Sequence, residues 1–224
     1  MRIKILLLVW VLPLAANAQT EQLGSWNLLN LKYTLNSHWS LFGETQLRSL
    51  KWYDHFHYYE FKGGFNYRVH PQVVLSLGAG TYQTYKEGGD FVLPKNNDEF
   101  RIWPQVVLHQ RIGLLKVEQR YRSELRFTSF GYRNRFRYRL GAAVPLGGRK
   151  ASGSPWQLSF SNELFFTNRE PYFERNRLLL ALQYKWTKQV GLQTGYLYQF
   201  DYRINDETGK NFFLIGMYWE FDRN

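Results

Sequence analysis

The sequence predicts an all-β fold, a transmembrane antiparallel β-barrel of 10–12 strands that follows a cleaved signal peptide. The first observation is an alternation with period two, clearest over residues 133–140, where arginine occupies every odd position. Successive side chains of a strand point to opposite faces, so this pattern places all four guanidinium groups on one face. The second observation is that similar alternation recurs along almost the whole chain behind an export signal. A closed sheet with lipid outside and water inside explains this repetition more simply than a soluble sheet.

Residues 1–18 have the features of a signal peptide. Arg2 and Lys4 provide a positive start, residues 5–14 form an apolar stretch, and residues 16–18 form a small-x-small cleavage site. The chain contains no cysteine, which argues against a lipoprotein acylated at its new amino terminus and against a disulfide-stapled secreted domain.

The remaining residues, 19–224, are expected to form one outer-membrane β-barrel domain, because no linker or low-complexity tract divides them. A formal net charge of +11 with 18% aromatic residues would suggest nucleic-acid binding in a soluble protein. An exported chain rarely meets nucleic acid, so we expect no such partner. The mean hydropathy of -0.46 excludes a bundle of membrane helices, but it is compatible with a barrel, because half of each strand faces water.

Alternation bounded by turn residues predicts eleven strands. Their approximate bounds are 25–36, 39–50, 57–70, 73–86, 99–112, 115–128, 132–144, 156–168, 175–187, 189–203 and 211–221. Most exceed the roughly nine to eleven residues that a tilted strand needs to cross a bilayer. An odd count would require one parallel pair, whereas bacterial single-chain barrels have even numbers, so counts of ten, eleven and twelve strands all stay open.

The connections are predicted to alternate between short turns and longer loops, as in barrels with periplasmic turns and extracellular loops. Residues 50–56, 87–98, 168–174 and 205–210 are the predicted long loops. Residues 146–155 are long where this alternation requires a short turn.

One face of several segments is apolar enough to contact lipid. The predicted outward residues are Phe100, Ile102, Val106 and Leu108 of the fifth segment, Val117, Tyr121, Leu125 and Phe127 of the sixth, and Leu178, Leu180, Leu182, Tyr184 and Trp186 of the ninth. Aromatic residues near segment ends are typical of the girdles at membrane interfaces. The alternative is a soluble sandwich with a large aromatic core.

The last segment resembles the carboxy-terminal assembly signal of outer-membrane barrels. Gly216 is followed by hydrophobic residues at the third and fifth positions beyond it, Trp219 and Phe221. Phe221 does not end the chain, and Leu214 stands where a polar residue is usual.

Five short stretches together resemble a known family. They are residues 101–105 (RIWPQ), 119–127 (QRYRSELRF), the arginine ladder 133–139, 162–166 (NELFF) and 174–177 (ERNR). In this order they are similar to the domain of unknown function 2490 family, whose members are regarded as exported outer-membrane β-barrels, common in Bacteroidetes and other Gram-negative bacteria. The resemblance implies the architecture and the location, and it assigns no activity.

If apolar residues face lipid, the opposite face of the central segments places a basic ladder in the lumen. Its members are Arg101, Arg120, Arg122, Arg126, Arg133, Arg135, Arg137 and Arg139, with Arg111 and Lys116 on the same face. The acidic residues beside them are Glu99, Glu118, Glu124 and Glu163. Facing strands can pair opposite charges, and the six cations left over imply water, counterions or an anionic ligand in the lumen.

Two interpretations of the ladder stay open. The charges form a hydrated lattice that stiffens a structural barrel without transport, or they line a narrow, porin-like pore for small anionic solutes. Acidic sugars, phosphorylated solutes and lipopolysaccharide phosphates would suit the two-pronged hydrogen bonding of arginine. The number of strands does not distinguish a closed lattice from a pore, because side chains fill a barrel of about eight strands and a barrel of about sixteen leaves a channel.

A lipid-modifying enzyme is the alternative class. It would need an outward serine beside a histidine, and none of His38, His55, His57, His70 and His109 has such a neighbour in an obvious constellation. We expect no enzyme, no cofactor and no metal, and we interpret residues 54–57 as an exposed aromatic loop. The expected partners are outer-membrane lipid, lipopolysaccharide and the barrel assembly machinery, and the chain is expected to be a monomer in a Gram-negative outer membrane.

Overall fold

The computed structural model describes residues 23–147, 153–202 and 207–222, so the predicted signal peptide lies outside the described residues. The described chain forms one sheet of eleven strands that closes on itself as a barrel. The strands are β1 (Leu23–Thr34), β2 (Trp39–Lys51), β3 (Asp54–His70), β4 (Val73–Lys86), β5 (Val92–Ile112), β6 (Leu115–Thr128), β7 (Gly131–Pro145), β8 (Trp156–Thr167), β9 (Phe173–Lys185), β10 (Val190–Asp201) and β11 (Thr208–Asp222). No helix in this part of the chain is long and apolar enough to cross a membrane.

The barrel closes through a parallel pair. Every strand is antiparallel to its sequence neighbours, and β1 runs parallel to β11 from the Leu23–Asn211 pair to the Thr34–Asp222 pair. The predicted antiparallel barrel of 10–12 strands is therefore confirmed with eleven strands, and it closes through one parallel pair. The physical reason is geometric: in an up-and-down sheet with an odd number of strands, the first and last strands point in the same direction when they meet.

The parallel pair defines two ends of the barrel. The upper end is the one at which β1 begins at Leu23, and the lower end is the one at which β11 ends at Asp222. At the upper end, the long loop predicted over residues 50–56 is wrong, because only Trp52 and Tyr53 connect β2 to β3. Tyr53 adopts a left-handed backbone conformation with φ of 50°, which allows a tight turn. Lys51 and Asp54, the residues on either side of this turn, pair with each other. The connection 146–155 joins the end of β7 to the start of β8, both of which lie at the lower end, as the sequence indicated.

The outer wall of the barrel is apolar. Large hydrophobic side chains stay exposed around the circumference, including Leu41, Phe61, Leu75, Phe100, Tyr121, Leu125, Phe136, Leu158, Leu180, Leu192 and Ile215. The outward sides predicted for the fifth, sixth and ninth segments are confirmed, because buried or partly buried charged residues lie at the intervening positions. A single closed sheet with exposed hydrophobics contradicts the soluble-sandwich interpretation.

The residues that pack together tightly lie inside the barrel. One buried cluster contains Trp26, Leu197, Phe212 and Leu214, and another contains Tyr58, Tyr82 and Trp103. The indole of Trp103 lies against Gly78, where an added Cβ would be 2.5 Å from the ring. A glycine at this position of β4 therefore lets the fully buried indole of Trp103 lie against the barrel wall.

Candidate functional site in the barrel lumen

Glu124 of β6 is the centre of the charged lumen. Its carboxylate lies within 4 Å of four guanidinium groups, at 2.5 Å from Arg135, 2.7 Å from Arg137, 3.6 Å from Arg122 and 3.9 Å from Arg101. The glutamate is 0% exposed. Because alternate residues of β5, β6 and β7 point inward, register brings all five charged side chains to one level of the barrel.

Two further glutamates extend this arrangement on β5 and β8. Glu99 lies 2.6 Å from Arg101 Nε and 2.5 Å from Arg126 Nε. Glu163 accepts from Arg120 at 2.5 Å and from Arg137 at 2.8 Å.

Glu174 of β9 connects distant strands across this region. It contacts Arg126 of β6 at 3.2 Å and Arg135 of β7 at 3.1 Å. We call these residues the ion-pair lattice: Glu99, Glu124, Glu163, Glu174, Arg101, Arg120, Arg122, Arg126, Arg135 and Arg137.

Aromatic rings fill the spaces between the arginines. The guanidinium of Arg101 lies 3.6 Å from the centre of the Tyr82 ring, and that of Arg137 lies 4.6 Å from the Phe165 ring. Such cation–π contacts strengthen when the groups are removed from water. Trp103 is 0% and Phe165 is 1% exposed, so the upper half of the lumen is packed with side chains at the level of Glu124.

The lower half of the lumen is hollow. A cavity of about 810 Å³ lies below Glu163 and Arg137, and we call it the lower cavity. Its rim includes the exposed residues Gln72, Arg111 and Lys116, so it opens at the lower end of the barrel. A smaller space of about 310 Å³ adjoins it and shares several of its lining residues.

The lower cavity has two chemically different walls on opposite sides of the barrel. Strands β5, β6 and β7 supply the basic wall, which consists of Arg111, Lys116, Arg120, Arg122 and Arg139. Strands β9, β10, β11 and β1 supply the apolar wall, which consists of Trp26, Leu28, Leu179, Leu197 and Leu214. A wall of each kind suits a ligand that has both a charge and an apolar part.

The structure brings together most of the predicted ladder but not all of it. Arg139 contacts Glu118 near the lower end, while Arg133 is exposed at the upper end and has no carboxylate partner among the described residues. The expectation of six unpaired cations is wrong. Within the described residues only Arg111, Lys116 and Arg133 of those ten cations lack a carboxylate within 4.0 Å, because each glutamate of the lattice is shared by several arginines and Glu174 joins from β9.

Sequence reasoning missed the lumen charges outside the central strands. Arg48 of β2 contacts Glu60 of β3 at 3.2 Å, and Arg175 of β9 contacts Asp201 of β10. It also missed the apolar wall, since apolar residues were assigned to the outside. The run of four hydrophobic residues over 212–215 was the available signal, because it makes both faces of β11 apolar.

The residues of the predicted assembly signal lie on both faces of β11. Trp219 is exposed on the outer wall at the lower end, and its ring stacks on Phe221 with centroids 4.6 Å apart. Gly216 faces inward next to Leu28. This arrangement leaves the assembly role a prediction.

The described histidines lie near the two ends of the barrel, and His38 Nδ1 is 3.0 Å from Ser37 Oγ at the lower end. His55 lies 2.8 Å from its neighbour Asp54 at the upper end, and His109 lies 3.9 Å from Glu118 at the lower end. Within the ranges that the structure describes, no group of three or more potential ligands among His, Cys, Asp and Glu could hold a metal ion.

The fold and the lumen define a class of protein: a closed β-barrel with an apolar outer wall and a charged interior, which fits an outer-membrane protein. A family model described as Protein of unknown function (DUF2490) matches residues 23–210. The chain belongs to this family, which confirms the resemblance found in the sequence. The match begins with β1 and ends inside β11. Neither the curated proteins nor the solved structures contain a match to the chain.

Proposed function

We propose that this protein is a monomeric barrel of a Gram-negative outer membrane, exported by a cleaved signal peptide, and that its lumen is closed to ions. The apolar outer wall supports the membrane location, because a soluble protein rarely exposes large hydrophobics around its whole circumference. The observation that carries the closed state is the packed level around Glu124, where charged and aromatic side chains fill the lumen.

The lower end is proposed to face the periplasm. Four of the five connections there, residues 35–38, 71–72, 113–114 and 186–189, have two to four residues, with 146–155 as the exception, whereas three of the five at the upper end, residues 87–91, 168–172 and 202–207, have five or six. Short turns are typical of the periplasmic side. Outer-membrane lipid and lipopolysaccharide would then surround the wall, and the barrel assembly machinery would insert it.

A planar-bilayer recording tests the closed state. Refolded protein, with insertion verified by flotation with liposomes, is expected to give no discrete openings in potassium chloride. A variant with Arg135→Ala and Phe165→Ala removes two side chains from the packed level and is expected to conduct, which provides the matched comparison.

Openings of the wild-type protein would contradict the proposal. A chloride-favouring reversal potential in that case would establish the alternative function, a narrow anion pore, which the surplus of lumen cations favours. We propose no enzymatic activity, and release of fatty acid from phospholipid or lipid A by the purified protein would overturn that part.

A further inference from the structure

Arg177 of β9 is a partly buried cation whose hydrogen-bonding capacity is largely unused. Its Nε donates to Gln199 Oε1 at 2.8 Å, and its guanidinium lies 4.9 Å from the Trp26 ring and 4.8 Å from the Phe165 ring. Among the described residues, no carboxylate lies within 4.0 Å of it, and its Nη1 and Nη2 atoms make no hydrogen bond. Both of these donors are therefore available where Arg177 lines the lower cavity.

The carboxylate expected to pair with Arg177 is bound by two other arginines. Glu163 is its register neighbour on β8, but the Glu163 carboxylate accepts from Arg120 at 2.5 Å and from Arg137 at 2.8 Å. Partial removal of a guanidinium from water without a close counter-charge is unfavourable. An anion that enters the lower cavity would supply the missing charge.

A second observation points to the same site. The Nε atom of Arg120 is buried and has no hydrogen-bond partner in the described structure. Arg120 lies on the basic wall of the lower cavity, so two incompletely bonded guanidinium groups line one space.

The apolar wall determines what else a ligand should carry. Trp26, against which Arg177 lies, pairs with Leu214 across the parallel seam, and Leu179 and Leu197 form the neighbouring inward pair. Leu28 continues this surface toward the lower end. An anionic head on Arg177 would thus have hydrocarbon contacts beside it, and 810 Å³ lies within the range of about 300–1,000 Å³ that is typical of ligand pockets.

We propose that the lower cavity binds a small amphipathic carboxylate, with its two oxygens on the Arg177 fork and its hydrocarbon part on the apolar wall. The planar guanidinium matches a carboxylate by two parallel hydrogen bonds. The site goes beyond the closed barrel proposed above, and it does not depend on whether the barrel conducts, because the ligand enters from the lower end.

The test uses calorimetric titration of the refolded barrel in phosphatidylcholine nanodiscs, so that no detergent competes for the cavity. The probes are 2-naphthoate, its neutral counterpart 2-naphthalenemethanol, and acetate, which has the charge without the ring. Empty nanodiscs give the partitioning background. Naphthoate is expected to bind at least tenfold more tightly than either of the other probes.

Variants identify the residues. Arg177→Gln is expected to weaken naphthoate binding at least tenfold, and Arg177→Lys should recover only part of it, because lysine keeps the charge and loses the fork. Leu28→Asn should weaken naphthoate and leave acetate unchanged. Arg169→Gln, which removes an exposed arginine from the connection before β9, is the charge-matched control and should bind as the wild type does.

Three results would overturn the proposal. Equal affinity for the neutral probe would mean that only the apolar wall binds, equal affinity for acetate would mean a simple anion site, and no heat above empty nanodiscs would mean no site. If Arg177→Gln fails to refold, Arg177→Lys is compared with the control variant instead. Unchanged naphthoate binding by Arg177→Lys would contradict the proposed pair of hydrogen bonds from the Arg177 guanidinium.

Discussion

At the scale of single residues, the position of Glu124 shows how so many arginines can share a narrow lumen. One carboxylate faces four guanidinium groups, so each arginine obtains part of a counter-charge and the cluster stays positive. The aromatic rings beside them add favourable contacts with the cations. Removing the shared glutamate should therefore be far more damaging than removing any one arginine.

We predict that Glu124→Gln lowers the free energy of unfolding by about 3–5 kcal/mol, the range measured when one partner of a buried ion pair is removed. Urea unfolding in lipid vesicles, followed by tryptophan fluorescence, measures this change. The matched control is Glu220→Gln, since Glu220 is 58% exposed and its Lys32 partner lies at 3.5 Å. An exposed pair of this kind contributes about 0–1 kcal/mol, and similar losses in both variants would show that the lattice does not hold the barrel together.

At the scale of elements, the parallel seam between β1 and β11 is the feature on which barrel closure depends. Its register joins residues that keep a constant difference in number, such as Asn27 with Ile215 and Tyr33 with Phe221. An antiparallel seam would keep a constant sum instead. Two cysteine pairs can thus distinguish the two arrangements, and the chain has no native cysteine to interfere.

We predict that a short thiol cross-linker joins both designed pairs, Asn27→Cys with Ile215→Cys and Tyr33→Cys with Phe221→Cys, each in its own variant. Mass spectrometry of digested, membrane-inserted protein measures the yield. The pair Asn27→Cys with Phe221→Cys is the offset control and should not react, because six residues of strand separate its members by about 20 Å. Reaction of only one designed pair would contradict the parallel register.

At the scale of the whole molecule, much of the architecture was predictable because period-two alternation is a local signal. The alternation over residues 133–139 put all four arginines on one face, and all eleven predicted segments lie within or close to the observed strands of the same order. The predicted loop at residues 50–56 failed because the left-handed conformation of Tyr53 is not encoded by a glycine or asparagine.

The candidate site was less predictable, because its parts come from strands far apart in the sequence. Glu174 reaches Arg126 across the lumen, and the unused donors of Arg177 follow from the occupation of Glu163 by two other arginines. Neither fact has a local sequence signal. The apolar wall was hidden for another reason: an inward leucine has the same composition as an outward one, and only the closed barrel decides which face is inside.

The odd number of strands determines on which side of the membrane each end of the barrel sequence would be accessible. The chain enters β1 at the upper end and leaves β11 at the lower end, so in the proposed membrane location the two ends of the barrel sequence would lie on opposite sides of the bilayer. With the lower end in the periplasm, an epitope inserted directly before Leu23 should be stained on intact cells, whereas one placed after Asp222 should be stained only after the outer membrane is permeabilised. Staining of both on the same side would require an even number of crossings. The barrel would therefore present its leading end to the exterior and keep its trailing end inside the cell envelope.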